Sequence, residues 1–573
     1  MIRGAQRRST LVGSALTRWS ARFAATLSTP GLLVATLFFA ASLTPSLLPR
    51  TLITQGVLSG FSLAAGYGLG VFGRWLWGYL ELPLPGARAQ RITTLTAAGL
   101  SLATALIFLH QAAEWQNSIR LLMELESVDS AQPIRVGLIA ALVAIVLLKI
   151  ARLFGLTFRI IAGWLSGHVP RRIANVTGGF LAIAVFWLVI DGVLVEASFR
   201  ALDASFQQVD ALVQPELEEP TDPLLTGSAA SLVAWHDLGR RGREFVSSGP
   251  TAEDLAVFFG EGDAEPIREP IRVYVGINSA ETIEERAGLA LGELQRLGAF
   301  ERSVLVIATP TGTGWVDPYA TDTFEYLLRG DVATVAVQYS YLPSWLSLLA
   351  EPEYGAETAR TVFAEIYGYW TELPRDARPD LYLYGLSLGA LNGERAADLY
   401  DVIADPYAGA LWAGPPFRSN TWRTITAERE PDSPAWLPRF RDGSIVRFMN
   451  QQNTPERPGA EWGPIRIVYL QYASDPVTFF EQRALFRRPE WMADPRGPDV
   501  SPELRWYPVV SMLQLAVDIA AGDAAPTGYG HVYAPEHYID AWLEVVAPPG
   551  WTAKEIERLE LYFQKRREAT DGP

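Results

Sequence analysis

The sequence predicts an N-terminal α-helical transmembrane bundle of about five spans, joined to a C-terminal α/β domain built on a mostly parallel sheet. Three observations predict it. Five apolar stretches crowd into the first 200 residues, at about 31–48, 53–72, 93–110, 136–154 and 174–195, each near the roughly 20 residues that a bilayer core demands of a helix. From about residue 270, short β-branched runs alternate with helical spacing, the pattern of parallel strands joined by helices. Charge divides at the same place: residues 1–200 carry 17 basic and 7 acidic side chains, and the remainder carries 31 and 56.

With 573 residues the chain exceeds what one hydrophobic core organises, so more than one unit is expected: a helical membrane part over 1–196, a connector over 197–269 and a catalytic part over 270–573. The absence of cysteine excludes disulfides, thiolate metal sites and cysteine nucleophiles. A net charge of −15 argues against general nucleic-acid binding. No histidine and carboxylate cluster has metal-ligand spacing, so no metal or other cofactor is expected.

Arginines set the expected orientation, because short cytoplasmic loops retain them. Arg3, Arg7, Arg8, Arg18 and Arg22 precede the first span, Arg74, Arg88 and Arg91 follow the second, and Arg152, Arg159, Arg171 and Arg172 follow the fourth. The third loop is acidic, with Glu114, Glu124, Glu126 and Asp129. Every second loop is basic, so five crossings starting inside place the catalytic part outside the cytoplasm. Arg7 and Arg8 lie too far before the first apolar run for a cleaved twin-arginine signal, and a retained anchor is expected. Asp191 in the last span would be costly against lipid and reads as a helix-facing or interfacial residue. In the connector, residues 215–223 read as a linker and 232–245 as an ordered stretch.

In the second part, strands are expected at 271–277 (IRVYVGI), 303–308 (SVLVIA), 332–339 (VATVAVQY), 381–384 (LYLY), 410–413, 465–472 (IRIVYLQY) and 505–509, with helices at 283–297, 323–328 and 357–370. Such continuous apolar strands are buried on both faces. Residues 415–460 read as an inserted lid.

The chemistry sits after LYLY, where Gly385-Leu386-Ser387-Leu388-Gly389 gives G-x-S-x-G between a strand and a helix. The glycines permit a tight turn that lifts a serine hydroxyl clear of the sheet, and the helix N-terminus behind it favours negative charge. Of the five histidines, His110, His168 and His236 precede the serine, whereas this type of hydrolase orders its triad as serine, acid, histidine. His531, in the loop TGYGHVY, is favoured as base over His537, which lies inside the following helix. Asp475, in YASDP after the strand ending at Tyr472, is the expected acid. Its alternative role is a helix cap, and Asp405 is a second candidate. Backbone amides of Leu388 and of Thr311 or Gly312, in the loop TPTGTGW, are expected to form an oxyanion hole. Tyr339, Tyr341, Trp345, Trp412, Phe417, Trp422 and Trp436 supply aromatics for an apolar acyl pocket, or simply for the core.

Seven segments extend the pattern along nearly the whole chain: SLTPSLLPR at 42–50, IRVYVGINSA from Ile271, PTGTGW from Pro310, QYSYLPSW from Gln338, GLSLGA from Gly385, LWAGPPF from Leu411 and GHVY from Gly530. In these the chain resembles the bacterial multi-pass membrane α/β-hydrolase family, in which a transmembrane domain precedes a serine-hydrolase domain. The resemblance implies an α/β-hydrolase fold, serine-hydrolase chemistry and an inner-membrane location, without naming a substrate. Lipid or acylated envelope esters are the expected substrates, with transacylation by the same acyl-enzyme, or ligand sensing without catalysis, as alternatives. One departure from the simplest plan is the helical stretch 510–521, which separates the last expected strand from His531.

Overall fold

A computed structural model describes residues 27–83, 86–189, 210, 214, 216–260, 265–342, 353–452 and 460–570. The chain divides into two compact units: Met1–Phe186 with Glu481–Met492 and Ser501–Asp518, and Trp187–Phe480 with Ala493–Val500 and Ile519–Pro573. The N-terminal arginines, Asp191 and Trp345 lie outside the described residues.

The first unit is helical: α1 (Thr29–Ser42), α2 (Leu52–Tyr79), α3 (Ala87–Arg120), α4 (Pro133–Leu165) and α5 (Arg171–Trp187). Among the described residues three helices, Leu52–Tyr79, Arg88–Met123 and Pro133–Leu165, are long and apolar enough to cross a membrane. The first expected span differs from the expectation. Its helix stops at Ser42 after 14 residues, about 21 Å at 1.5 Å per residue and short of a bilayer core of roughly 30 Å. Pro45 is the reason, since proline disfavours helix at the residue before it and cannot donate into the helical ladder. Residues 43–48 are instead a buried loop. The fifth span begins as α5, and residues 190–209 lie outside the described set.

Close packing in this unit runs through small residues. A Cβ on Gly60 would stand 2.5 Å from Cβ of Val143 on α4, so glycine sets the separation of α2 and α4. A polar knot closes one end: Ser42 Oγ lies 2.8 Å from Ser59 Oγ, Gln55 donates to the Ser42 carbonyl, and Arg50 donates from Nη1 to both Ser42 O and Gln55 Oε1. The apolar helix Val510–Ala520 belongs to this unit as far as Asp518, whose carboxylate accepts from Arg50 Nε and from the Leu47 amide.

The second unit is an α/β layer structure. Seven strands, β1 (Ile271–Val275), β2 (Val304–Thr309), β3 (Val332–Val337), β4 (Asp380–Leu386), β5 (Gly409–Ala413), β6 (Val446–Met449) and β7 (Arg466–Leu470), form one sheet in the order β1-β3-β2-β4-β5-β7-β6. Every pairing is parallel. Helices α6 (Gly239–Ser247), α7 (Ile283–Arg296), α8 (Pro318–Leu327), α9 (Tyr354–Glu372), α10 (Leu388–Gly393), α11 (Pro535–Val546) and α12 (Ala553–Thr570) cover it, α7 packing with α9 and α11 with both α8 and α12. Thr282 and Glu285 start α7 as a capping box, each side chain accepting the other's backbone N–H.

Two expectations about this unit are corrected. Residues 505–509 form no strand. Pro508 withholds a ladder donor, Val509 has φ +67°, and the segment belongs to the helical unit, where Val509 N–H donates to Leu485 O. The seventh strand is β6, contributed by the segment read as a lid. Within the connector, Thr226 Oγ1 donates to Arg272 O, and α6, in the stretch expected to be ordered, packs against β1.

Arg272, on β1, donates to Asp322 and to both carboxylate oxygens of Glu325, and all three side chains are buried. Removing one partner of such a cluster leaves buried charge unpaired. Arg272→Leu is therefore expected to cost about 3–5 kcal/mol in chemical denaturation of the second unit, and an unchanged midpoint would refute the account.

Candidate active site

The elbow follows from how β4 meets its neighbours. Gly385 is in register with Thr309 on β2 and Trp412 on β5, so the strand end is held on both sides. The chain then turns within one residue: Ser387 has φ +56° and ψ −121°, its N–H donates to Ala413 O at 3.0 Å, and its carbonyl accepts from Leu391 N–H at 3.1 Å as α10 begins. Only glycine fits on either side. A Cβ on Gly385 would lie 2.3 Å from the Gly389 carbonyl carbon, and one on Gly389 would lie 2.1 Å from Thr309 O. A non-glycine residue at this φ and ψ carries backbone strain, which persists where the surroundings over-determine it.

His531 arrives in a loop shaped by Gly528 and Gly530, both at positive φ, with Gly528 N–H donating to Val532 O. Its Nδ1 lies 2.8 Å from Asp475 Oδ2. A carboxylate only accepts, so Nδ1 carries the hydrogen and Nε2 of the neutral ring is the basic nitrogen. Asp475 follows β7 by five residues and is fully buried. Oδ1 accepts from the Val477 and Thr478 amides, and Oδ2 also accepts from Tyr533 OH at 2.8 Å and from Thr478 Oγ1. The helix-cap role and the histidine-orienting role thus fall on opposite oxygens of one side chain. Gly414, at φ +52°, brings the imidazole to the serine's side of the sheet. A Cβ there would lie 2.7 Å from His531 Cε1, and Gly414 directly follows the residue whose carbonyl holds the Ser387 amide.

A serine on a strained strand-to-helix turn, an aspartate after the end of β7 and a histidine bonded to it from the loop before α11, on a parallel sheet, are matched by a comparison with known families. A family model described as the alpha/beta-hydrolase family matches residues 271–559, half of the chain. The chain belongs to the α/β-hydrolase family. A second model, described as the N-terminus of an alpha/beta-hydrolase family, matches residues 43–250. No curated protein and no solved structure matches the chain. Family membership points to hydrolase activity.

The remaining expected residues sort by position. Leu388 is the first residue of α10, where amides have no intrahelical acceptor. Thr311 is corrected: its N–H donates to Trp315 O within the loop and is spent there. Gly312 stays in the same tight loop, which Gly314 closes by donating to Thr311 O. Asp405 binds Arg378 through both carboxylate oxygens, at the end of the sheet where β4 starts. His537 is a packing residue whose Nδ1 lies 2.6 Å from Tyr472 OH, and burial pushes it down to about 4. Trp412 and Trp422 are buried, Trp412 against Gly393 and Trp422 bonded to Gln471, while Trp436 donates to Pro495 O. Phe417 packs edge-on against Phe480.

Two carboxyls near the site escaped sequence reasoning. Asp499 accepts from the amide and hydroxyl of Ser474, the hydroxyl in turn accepting from Gly530 N–H, so one buried acid fastens the residues preceding both Asp475 and His531. Asp317 caps α8 through Tyr319 N–H and accepts from Tyr538 OH, and burial pushes it up to about 7. An Asp-Pro pair marks it in the sequence, but nothing there places it near His531. With its folded pKa above the ordinary value near 4, Asp317 contributes stability at low pH that is lost as pH rises toward and through about 7. Asp317→Asn removes that loss. Its melting temperature relative to wild type is expected to increase between pH 5 and pH 8, and a pH-independent difference would contradict the assignment.

Proposed function

We propose that the protein is a membrane-anchored serine hydrolase that cleaves acyl esters through an acyl-enzyme on Ser387. The observation carrying this reading is the hydrogen bond from His531 Nδ1 to buried Asp475, with the imidazole against Gly414, the residue next to the Ala413 carbonyl that accepts from the Ser387 amide. His531 Nε2 takes the Ser387 hydroxyl proton as Oγ attacks the ester carbonyl carbon. The Leu388 amide, at the positive end of α10, meets the charge that develops on the carbonyl oxygen. The tetrahedral species collapses, breaking the bond to the alcohol, which leaves with the proton from His531. Water then attacks the acyl-enzyme, giving its proton to His531, and the carboxylic acid departs as Ser387 regains its hydrogen.

The membrane part of the proposal rests on three spanning-length helices and on their solvent-exposed apolar residues, among them Leu95, Leu138 and Trp164, which lipid would cover. With the basic loops, this supports a bacterial inner-membrane protein acting on lipid or acylated envelope esters.

The deciding experiment is fluorophosphonate labelling of the detergent-purified full chain, with the adduct located by mass spectrometry. The adduct is expected on Ser387, lost with His531→Ala and retained with His537→Ala. A folded wild type that takes no label would overturn the proposal.

A further inference from the structure

Within the helical unit, the polar knot of Arg50 and Gln55 borders a cavity that shares no residue with Ser387, Asp475 or His531. This cavity of about 240 Å³ opens among the N-terminus of α2, the last turns of α3 and the residues leading into α4. Its polar wall carries Arg50, Gln55, Gln116 and Arg120, its apolar wall includes Leu109 and Val136, and no carboxylate lines it. Two helix N-termini meet it, α2 through Thr51 and Leu52 and α4 through Gln132 and Val136. Amides at such ends carry partial positive charge and favour an anion.

Arg50 makes this more than a pair of helix ends. Its side chain is 1% exposed, Nε meets Asp518 at 3.3 Å and Nη1 donates to Ser42 O and Gln55 Oε1, yet Nη2 is buried with no partner among the described residues. An unsatisfied guanidinium donor beside a cavity is costly unless something accepts from it. Arg120 donates from Nε to the Glu126 carbonyl and makes no ion pair among the described residues. The lining also includes the aliphatic side chains of Leu43, Leu52, Leu109 and Val136. The cavity is smaller than the roughly 300–1,000 Å³ typical of sites that enclose a whole small molecule. That size suits an acidic head group and the first carbons of a chain, the remainder lying outside.

We infer that this cavity binds an anionic amphiphile, its carboxylate or phosphate held by Arg50 and Arg120 and its alkyl chain lying against the aliphatic wall. The head group could be that of a free fatty acid or of an acidic phospholipid, and the two are separable by competition. Neither the serine chemistry nor the substrate of the hydrolase unit enters the argument.

The test is native mass spectrometry of the full chain in detergent, carried out on Ser387→Ala protein so that the serine contributes no covalent adduct, with dodecanoate, dodecanol and phosphatidylglycerol as probes. One dodecanoate is expected to be retained per chain and dodecanol not. Arg120→Gln, at a half-buried position, and Ala112→Phe, which fills the cavity from α3, are each expected to weaken dodecanoate binding about tenfold or more, the scale of one lost charged hydrogen bond. Displacement of dodecanoate by phosphatidylglycerol would identify the occupant as a phospholipid, and resistance to displacement would identify it as a free acid. Either supports the site. Equal retention of dodecanol, or dodecanoate binding unchanged in both variants, would overturn it. Arg50 is left intact because its buried pairing with Asp518 makes its replacement a test of folding.

Discussion

Ser387→Ala is expected to lower kcat toward p-nitrophenyl butyrate by roughly five to six orders of magnitude, leaving only what the oxyanion donors and binding achieve with water. The size follows from the elbow. In the proposed reaction Ser387 Oγ is the atom that becomes acylated, and no second hydroxyl occupies the turn, since its neighbours are Leu386 and Leu388. The fold should not suffer. Alanine keeps the Cβ and therefore the same strain at φ +56°, while the two backbone hydrogen bonds that fix the turn, to Ala413 O and from Leu391, involve no side-chain atom. Ser387→Gly separates strain from chemistry further. It is equally inactive but gains about 1–3 kcal/mol of stability, because glycine adopts this conformation without penalty. Equal melting of wild type and Ser387→Ala with activity abolished would assign the serine to catalysis. Activity persisting in the adduct-free variant would remove Ser387 from the reaction.

Much of the second unit was legible because its strands obey one rule. A parallel strand buried on both faces reads as a near-continuous apolar run, and IRVYV, interrupted only by the paired Arg272, VLVIAT and VATVAV announce themselves for that reason. The edge strand β6, only four residues long, sits in a segment of prolines and exposed polar residues and gives no comparable run. Residues 505–509 carry β-favouring Trp, Tyr and Val, yet Pro508 and the bond from half-buried Trp506 to Ala484 O draw them into the helical unit. In the first unit, hydropathy alone extends a span across Pro45, where backbone geometry ends the helix at Ser42.

At the site, Ser387, Asp475 and His531 were legible from motif, chain order and loop position. Asp317 and Asp499 were not, because they act through contacts between segments far apart in the chain: Asp317 with Tyr538, and Asp499 with Ser474. The spent Thr311 amide was equally hidden. Glycines near a strand end predict a turn, but which amide the turn consumes depends on its closing bond, here to Trp315 O.

Asp475→Asn is expected to reduce kcat about 10⁴-fold while leaving the loop folded. The turn needs only an acceptor for the Val477 and Thr478 amides, and the carboxamide oxygen can serve them as Oδ1 does now. The carboxamide nitrogen then faces His531 Nδ1 and Tyr533 OH with hydrogens, where the carboxylate accepted from both. His531 can meet that donor only by presenting Nδ1 as an acceptor, which moves its hydrogen to Nε2. A ring with hydrogen on Nε2 cannot take the Ser387 proton. Tyr533 cannot restore the balance as a base. Burial, with Asp475 beside it, raises its hydroxyl well above the ordinary range, so it remains a donor. The loss should therefore appear in kcat, with KM little changed, and should shrink at high pH, where hydroxide can do the work of the base. Tyr533→Phe removes one hydrogen bond but leaves the tautomer intact, so its activity should fall far less. A variant Asp475→Asn that keeps a tenth or more of wild-type kcat would show that the carboxylate serves only as the cap for residues 476–479.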